Sequence, residues 1–387
     1  MRLLSTSVFR GLRASLLALL LPLLPGCIDP FTPPTLSAPP SYLVVDGFIN
    51  SQGSSTISLS RTYAIALAAS PPVESSAVVF IEAQSGLRYP LRESAVKGTY
   101  VSDRLALSSA GTYRLRLTTA SGKEYASAYV PVKTTPPIDT VAWRATGNAL
   151  DIIMSTHDPA NATRYYRWEY AETWEIVPPY VPSLEFSGSR LRPLSVPYPA
   201  LCWRTTRGTT VQLASTAALS QDVVAAYPLR QLPSTAPQLL RRYSLLVQQH
   251  ALTKDEYQYW ELLRKNTESL GTLFDPQPVQ LTGNVRGLGS NAAAVALGYI
   301  GAHSLSEKRI FIARPQLPAA WLPLTGYESC MPPDTVRPGT ESYSFGPNYL
   351  PIYATFSNGT LVGYLAKSAD CIDCRKRGTA VKPSFWP

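Results

Sequence analysis

The sequence predicts a mainly β protein: an N-terminal immunoglobulin- or prealbumin-like β-sandwich, then a larger β-rich domain carrying one amphipathic helix. Three observations predict it. Pro supplies 35 of the 387 residues, against a usual ~5 %, and so much Pro disfavours long helices while suiting short strands joined by turns. Between Tyr42 and Val132, β-branched and aromatic runs alternate with turn signals every ~8–12 residues, the spacing of an antiparallel sandwich. One stretch, Thr253 to Leu270, carries apolar residues at a helical period instead. A hydrophobic content of 45 % and 22 Tyr supply material for packed cores.

Residues 1–26 have the order of a lipoprotein signal peptide. Arg2, Arg10 and Arg13 come first, and the run from Ala14 to Leu24 is apolar except for Ser15 and Pro22. Such a run is too short to span a bilayer as a helix, which takes roughly 20 residues. Leu21-Pro22-Leu23-Leu24-Pro25-Gly26-Cys27 resembles a bacterial lipobox, in which the Cys27 thiol receives a diacylglycerol and heads the mature chain. An ordinary export signal with a chance Cys is the alternative. Residues 27–40 form a Pro-rich tether, ~40 Å long if extended. Ile28 is not the Asp that commonly retains lipoproteins in the inner membrane, so the expected location is the outer membrane, on either face. The formal charge is +9, of which the signal's three Arg leave +6, with Arg375-Lys376-Arg377 as the one cluster. That reads as solubility, or contact with anionic lipid or polysaccharide; no nucleic-acid partner is expected of an exported chain.

The first domain covers 41–133. Tyr42 to Ile49, Thr56 to Arg61 and Ala77 to Glu82 read as strands, and Gly98-Thr99-Tyr100 and Gly111-Thr112-Tyr113 repeat one strand entry. Leu115 and Leu117 alternate with Arg114 and Arg116, which gives one buried and one wet face. Thr134-Thr135-Pro136-Pro137 is a linker. The second domain covers 138–387. In Tyr165 to Glu175, period two puts Tyr166, Trp168, Tyr170 and Trp174 on one face and Arg167, Glu169 and Thr173 on the other. This stripe is core or a ligand platform for a sugar or flat ligand. Pro178 to Pro199 reads as a long exposed loop and candidate contact region. Leu201 to Trp203, Gly208 to Leu213 and Leu239 to His250 return to strand.

The helix is expected over 253–270. Thr253 with Glu256 makes a capping box, Leu252 and Tyr257 a staple, and Gly271 ends it. Val295 to Ala302 and Glu307 to Ile312 read as a closing hairpin, Gly283 to Gly289 as a loop, and Leu361 to Leu365 as a last strand. With Cys27 lipidated, Cys202, Cys330, Cys371 and Cys374 remain, an even number in an oxidising compartment. Structural disulfides are expected in any of three pairings, with zinc or redox chemistry at Cys371-Ile372-Asp373-Cys374 as the alternative.

Chemistry-bearing motifs are absent from the sequence: there is no G-x-S-x-G, H-E-x-x-H or P-loop. His157 sits in an Asp-Pro turn, His250 ends a strand and His303 falls in a hairpin loop. Glu172 and Glu175 point to opposite faces of a strand, which disfavours a glycosidase pair. Neither cofactor nor metal is expected.

These residues also carry a resemblance. Cys27-Ile28-Asp29-Pro30-Phe31 ahead of Tyr42 to Gly47, Thr163 to Tyr170, Asn266-Thr267-Glu268 leading to Phe274 to Pro278, and Cys371 to Arg375 with Lys382 to Trp386 resemble the domain of unknown function 4249 family, lipoproteins of Bacteroidota. The resemblance implies no catalytic residues. It implies an accessory role beside TonB-dependent outer-membrane receptors, through gene neighbourhood. The expected function is therefore a non-enzymatic, lipid-anchored outer-membrane lipoprotein that serves such a receptor. The alternatives are a structural or adhesive surface protein and, third, a surface hydrolase depending on Glu172 or His157.

Overall fold

Alternating burial builds the first sandwich. Its strands are β1 (Leu43–Gly47), β2 (Ile49–Asn50), β3 (Thr56–Arg61), β4 (Val78–Ala83), β5 (Arg88–Glu93), β6 (Thr99–Ser102), β7 (Thr112–Thr118), β8 (Glu124–Ser127) and β9 (Val130–Lys133) in a computed structural model that describes residues 41–63, 70–268, 281 and 283–387. The expected signal peptide, Cys27, the expected tether and the expected helix end beyond Glu268 lie outside the described residues. In β7, Tyr113, Leu115 and Leu117 are buried and the residues between them partly exposed, as a period of two requires. β4 pairs with β5 and β7, and β3 with β1 and β6, all antiparallel. Their inward residues meet in one core that includes Leu43, Ile57, Ile81, Tyr100 and Leu115.

A second sandwich follows. β10 (Ile138–Thr146), β11 (Ala149–His157) and β17 (Val223–Pro233) form one sheet. β15 (Cys202–Arg207), β12 (Tyr165–Ile176), β18 (Arg242–Ala251) and β22 (Leu305–Ala313) form the other, with β16 (Gln212–Ser215) also on β12. Between them lie Leu150, Ile152 and Met154 of β11, Tyr166, Trp168 and Trp174 of β12, and Tyr243, Leu245 and Val247 of β18. The helix Lys254–Glu268 starts where expected, with the Glu256 amide donating to Thr253 Oγ1 at 3.2 Å.

Three expectations are corrected. The segment 178–199 is not simply an exposed loop. It contains a hairpin, β13 (Leu184–Ser187) and β14 (Arg190–Pro193), because Phe186 and Leu191 face each other across the turn and pack on a small C-terminal core with Phe345 and Tyr349. That core belongs to a sheet of β23 (Asp334–Val336), β25 (Thr360–Ser368) and β24 (Tyr349–Ser357). The Gly-rich stretch 283–289 is likewise not only a loop, since it holds β19 (Val285–Gly287), paired with β8. The closing hairpin does not form. β20 (Ala296–Leu297) instead runs parallel to β1, and β21 (Ala302–His303) parallel between β2 and β9, while β22 pairs with β18. Glycines explain the return to the first sandwich. A Cβ on Gly298 (φ +124°) would lie 1.9 Å from the Val45 carbonyl oxygen, and one on Gly283 would lie 1.8 Å from that of Gly298, so the backbones meet at a distance that excludes a side chain.

The linker 134–137 is bound into this arrangement. Thr135 is buried; its amide donates to Ser304 Oγ at 2.9 Å, and its hydroxyl accepts from the Ala251 amide at 3.1 Å. Gln249 Nε2 donates to the Pro136 carbonyl at 2.9 Å. The described residues of 42–62 and 70–387 accordingly belong to one compact unit; of the other unit only Ser41 and Tyr63 are described. Among the described residues no helix is long and apolar enough to cross a membrane.

Candidate functional site

The stripe on β12 supplies the starting point. Tyr166, Trp168, Tyr170 and Trp174 are all buried in the second core, and Tyr166 stacks on Trp168 with ring centroids 5.8 Å apart. Trp168 Nε1 donates to the buried Gln249 Oε1 at 2.8 Å, which satisfies its one polar atom. No ring of the stripe stands free as a platform. Trp168 and Tyr170 instead border one cavity, and Trp174 borders another.

The first cavity, of about 410 Å³, sits where the two sandwiches meet. Its central group is Arg167, on the odd-numbered face of β12. That face carries a charge and reads as solvent-facing in sequence, but the helix lies over it, and Trp260 covers the guanidinium at 4.1 Å from ring centroid. Arg167 pairs with Glu169, while its Nε is buried without a hydrogen-bond partner among the described residues. Asp46 reaches the same cavity from β1. Burial and the charge of Glu169 push its carboxyl up, against the opposing pull of Arg167. The chamber thus offers a carboxyl group from each sandwich and the guanidiniums of Arg167 and Arg207 beside indole and phenol rings, a lining that suits a polar ligand with a flat or cyclic part.

Behind Arg167 lies a buried polar cluster that the sequence does not reveal. His303 stacks on Phe48 at 4.4 Å, and His250 meets both rings edge-on at 5.0 Å. Both imidazoles are fully buried, and both nitrogens of His250 lack partners among the described residues. Burial, then the nearby Arg167 charge, holds His303 down at about 3 and His250 well below its usual range. Glu256 is buried 4.0 Å from His303 Nε2, and burial pushes its carboxyl up to about 7 despite Arg167. His303 therefore sits in a strand, not in a loop. The signal that a search would need is a His closing the apolar run of β18 and another inside Gly301-Ala302-His303-Ser304, each in a segment otherwise fit for burial.

Elsewhere the four Cys resolve. Cys202 pairs with Cys374, and Cys330 with Cys371, so the C-x-x-C pair is split between two disulfides. Cys330, Cys371 and Asp370 place ligand-type atoms within 4.8 Å of one another, but both sulfurs are consumed in the bond. Glu172 and His157 are not brought together: Glu172 Oε1 accepts from Tyr243 at 2.8 Å and from Arg230 at 3.1 Å, whereas the exposed His157 Nδ1 bonds Asp139 at 2.8 Å. Glu175 faces away, towards Arg241 and the Trp386 indole.

Comparison with known proteins adds the following. No curated protein matches the chain. Among solved structures, a two-domain fibronectin type III segment of chicken tenascin is 12 % identical, covers 54 % of this chain and 91 % of its own, and has a TM-score of 0.18. A DUF4785-family protein of Legionella pneumophila is 9 % identical over 53 % of this chain and 51 % of its own, also at 0.18. Neither likeness bears on function. The model of the family described as "Domain of unknown function (DUF4249)" matches residues 28–309, through most of β22 and short of the Cys330–Cys371 pair. That span is most of the protein, and the chain belongs to the DUF4249 family.

Proposed function

We propose that the chain is a lipid-anchored outer-membrane lipoprotein that acts by binding, as an accessory to a TonB-dependent receptor. The observation that carries the binding part is the junction cavity, whose walls come from both sandwiches and whose buried Arg167 keeps a donor without a partner among the described residues. The anchoring part rests on the sequence around Cys27, and the partner on the family resemblance. In this reading Cys27 and the Pro-rich tether hold the double sandwich near the membrane, and the receptor supplies transport.

Two measurements test it. Radiolabelled palmitate fed to producing cells labels the native protein, and Cys27→Ala abolishes the label. A detergent pull-down of the tagged protein recovers a β-barrel receptor. Repeated recovery of no receptor overturns the partnership, and an unlabelled native protein overturns the anchor. Attachment defects with intact nutrient uptake in a deletion strain would move the reading to an adhesive protein.

A further inference from the structure

The second cavity, of about 400 Å³, lies at the other end of β12 and has a different character. Pairing of β12 with β15 sets Trp174 opposite Arg204 and Glu172 opposite Thr206, and directly opposed residues project from the same face of a sheet. Arg204, Glu172 and Trp174 therefore share one face. Arg230, from β17 of the opposite sheet, joins them. Arg377 and Tyr327, from the C-terminal segment, close the far side.

The charges there do not balance. Arg377 is occupied, with Nη2 on Asp370 at 2.6 Å, Nη1 on the Gly326 carbonyl and the guanidinium 4.1 Å over Tyr327. Arg230 is held through Nε by the buried Glu172, and its terminal nitrogens have no hydrogen-bond partner among the described residues. Arg204 rests 5.7 Å over Trp174 and has no carboxylate partner among the described residues. The Tyr327 hydroxyl is likewise buried and unpartnered among them. Two guanidinium forks thus face one chamber that holds a single carboxylate, already engaged. Guanidinium forks match carboxylate and phosphate geometry.

We propose that this chamber is a second binding site, for a small organic oxyanion: a carboxylate or phosphate on a sugar-sized body, gripped by Arg204 and Arg230 beside Trp174 and Tyr327. The site is independent of the junction cavity and goes beyond the accessory role. It is also built covalently. Cys202 precedes Arg204 on β15 and is bonded to Cys374, just before Arg377, while Cys330, just after Tyr327, is bonded to Cys371. The two disulfides fix three of its walls to one another.

Calorimetry on the full-length protein in detergent tests this with glucuronate, glucose 6-phosphate and neutral glucose as probes. The expected result is binding of at least one anion, weakened by salt, with glucose silent. If only glucuronate binds, the group recognised is a carboxylate; if only glucose 6-phosphate binds, it is a phosphate. Arg204→Gln should weaken binding at least ~10-fold, since a hydrogen bond to a charged group is worth about 1.5–3 kcal/mol. Arg204 is exposed, so its variant should keep the wild-type circular dichroism and melting temperature. Arg230→Gln tests the second fork, and a melt of each variant separates misfolding from lost contact. Absence of binding of both anions at millimolar concentration, glucose binding as well as the anions, or unchanged affinity in a folded Arg204→Gln protein overturns the proposal.

Discussion

The two cavities are nearly equal in size and lean on the same strand, yet different forces hold them. Arg167, Trp168, Glu169 and Tyr170 of β12 border the junction cavity, and Glu172, Trp174 and Ile176 border the other. Packing makes the first: the helix lies over Arg167, Trp260 covers the guanidinium, and a linker with its polar groups bonded fixes one sandwich against the next. Covalent bonds make the second, since its C-terminal wall is tied to β15 by Cys202–Cys374 and to itself by Cys330–Cys371. The difference teaches what each should respond to. A site backed by buried imidazoles and a carboxyl answers to protons, and a site stapled by sulfur answers to reductant.

The largest expected effect breaks the covalent side. The Cys202–Cys374 bond closes a sequence separation of 172 residues and Cys330–Cys371 one of 41. Loop-closure entropy then assigns about 5 and about 4 kcal/mol to them singly; the second loop is nested in the first, so the two do not add. Replacing Cys202 and Cys374 by Ala should lower the urea midpoint most, and replacing Cys330 and Cys371 less. All seven Trp lie after residue 142, so their fluorescence follows the second sandwich and C-terminal segment without contribution from the first. The comparison breaks if both double variants unfold at the wild-type urea concentration.

The next effect sharpens the packed side. Glu256 has a folded value of about 7 against an ordinary 4.5, so the native state holds a proton that the unfolded chain has released. Stability from this group is present at acid pH and is lost as pH rises from ~4.5 through ~7, by about 3 kcal/mol in all. His303, held at about 3 against 6.5, works the other way: its stability is present above ~6.5 and is lost as pH falls. His250 is depressed likewise. Together the three groups place best stability near pH ~6.5, because two protons taken up outweigh one released below it. Glu256→Gln should stabilise the protein at pH 8 by up to ~3 kcal/mol and change little at pH 5. Urea unfolding at the two pH values checks it, and an equal shift at both would show that Glu256 ionises in the fold as it does in the unfolded chain.

The same contrast explains which parts were legible in sequence. The first sandwich was, because Leu115, Leu117 and their neighbours alternate within a single strand. The aromatic stripe was readable as one face of β12 for the same local reason. Strands β20 and β21 were not, being two residues each and paired in parallel with strands some 250 positions earlier; their glycines mark a close approach without naming its partner. Arg167 looked solvated because the helix that buries it begins 87 residues later. The oxyanion chamber was beyond reading, since spacing does not determine how four Cys pair, and the pairing is what brings Arg377 and Tyr327 to Arg204.

The smallest effect tests how closely helix start and buried cluster are joined. Thr253 Oγ1 accepts from the Glu256 amide at 3.2 Å, and a backbone hydrogen bond from Thr253 draws the Glu256 carboxyl down against its burial. One residue pair therefore both caps the helix and steadies the acid behind Arg167. Thr253→Ala should cost about 1 kcal/mol, and Thr253→Ser should restore most of it. The hydroxyl bonds the Glu256 amide and not its carboxyl, so the loss should be nearly the same at pH 5 and pH 8 in urea unfolding. A loss confined to pH 8 would show instead that the threonine acts chiefly through the ionised carboxylate, and that the proton-responsive side of the molecule extends into the helix cap.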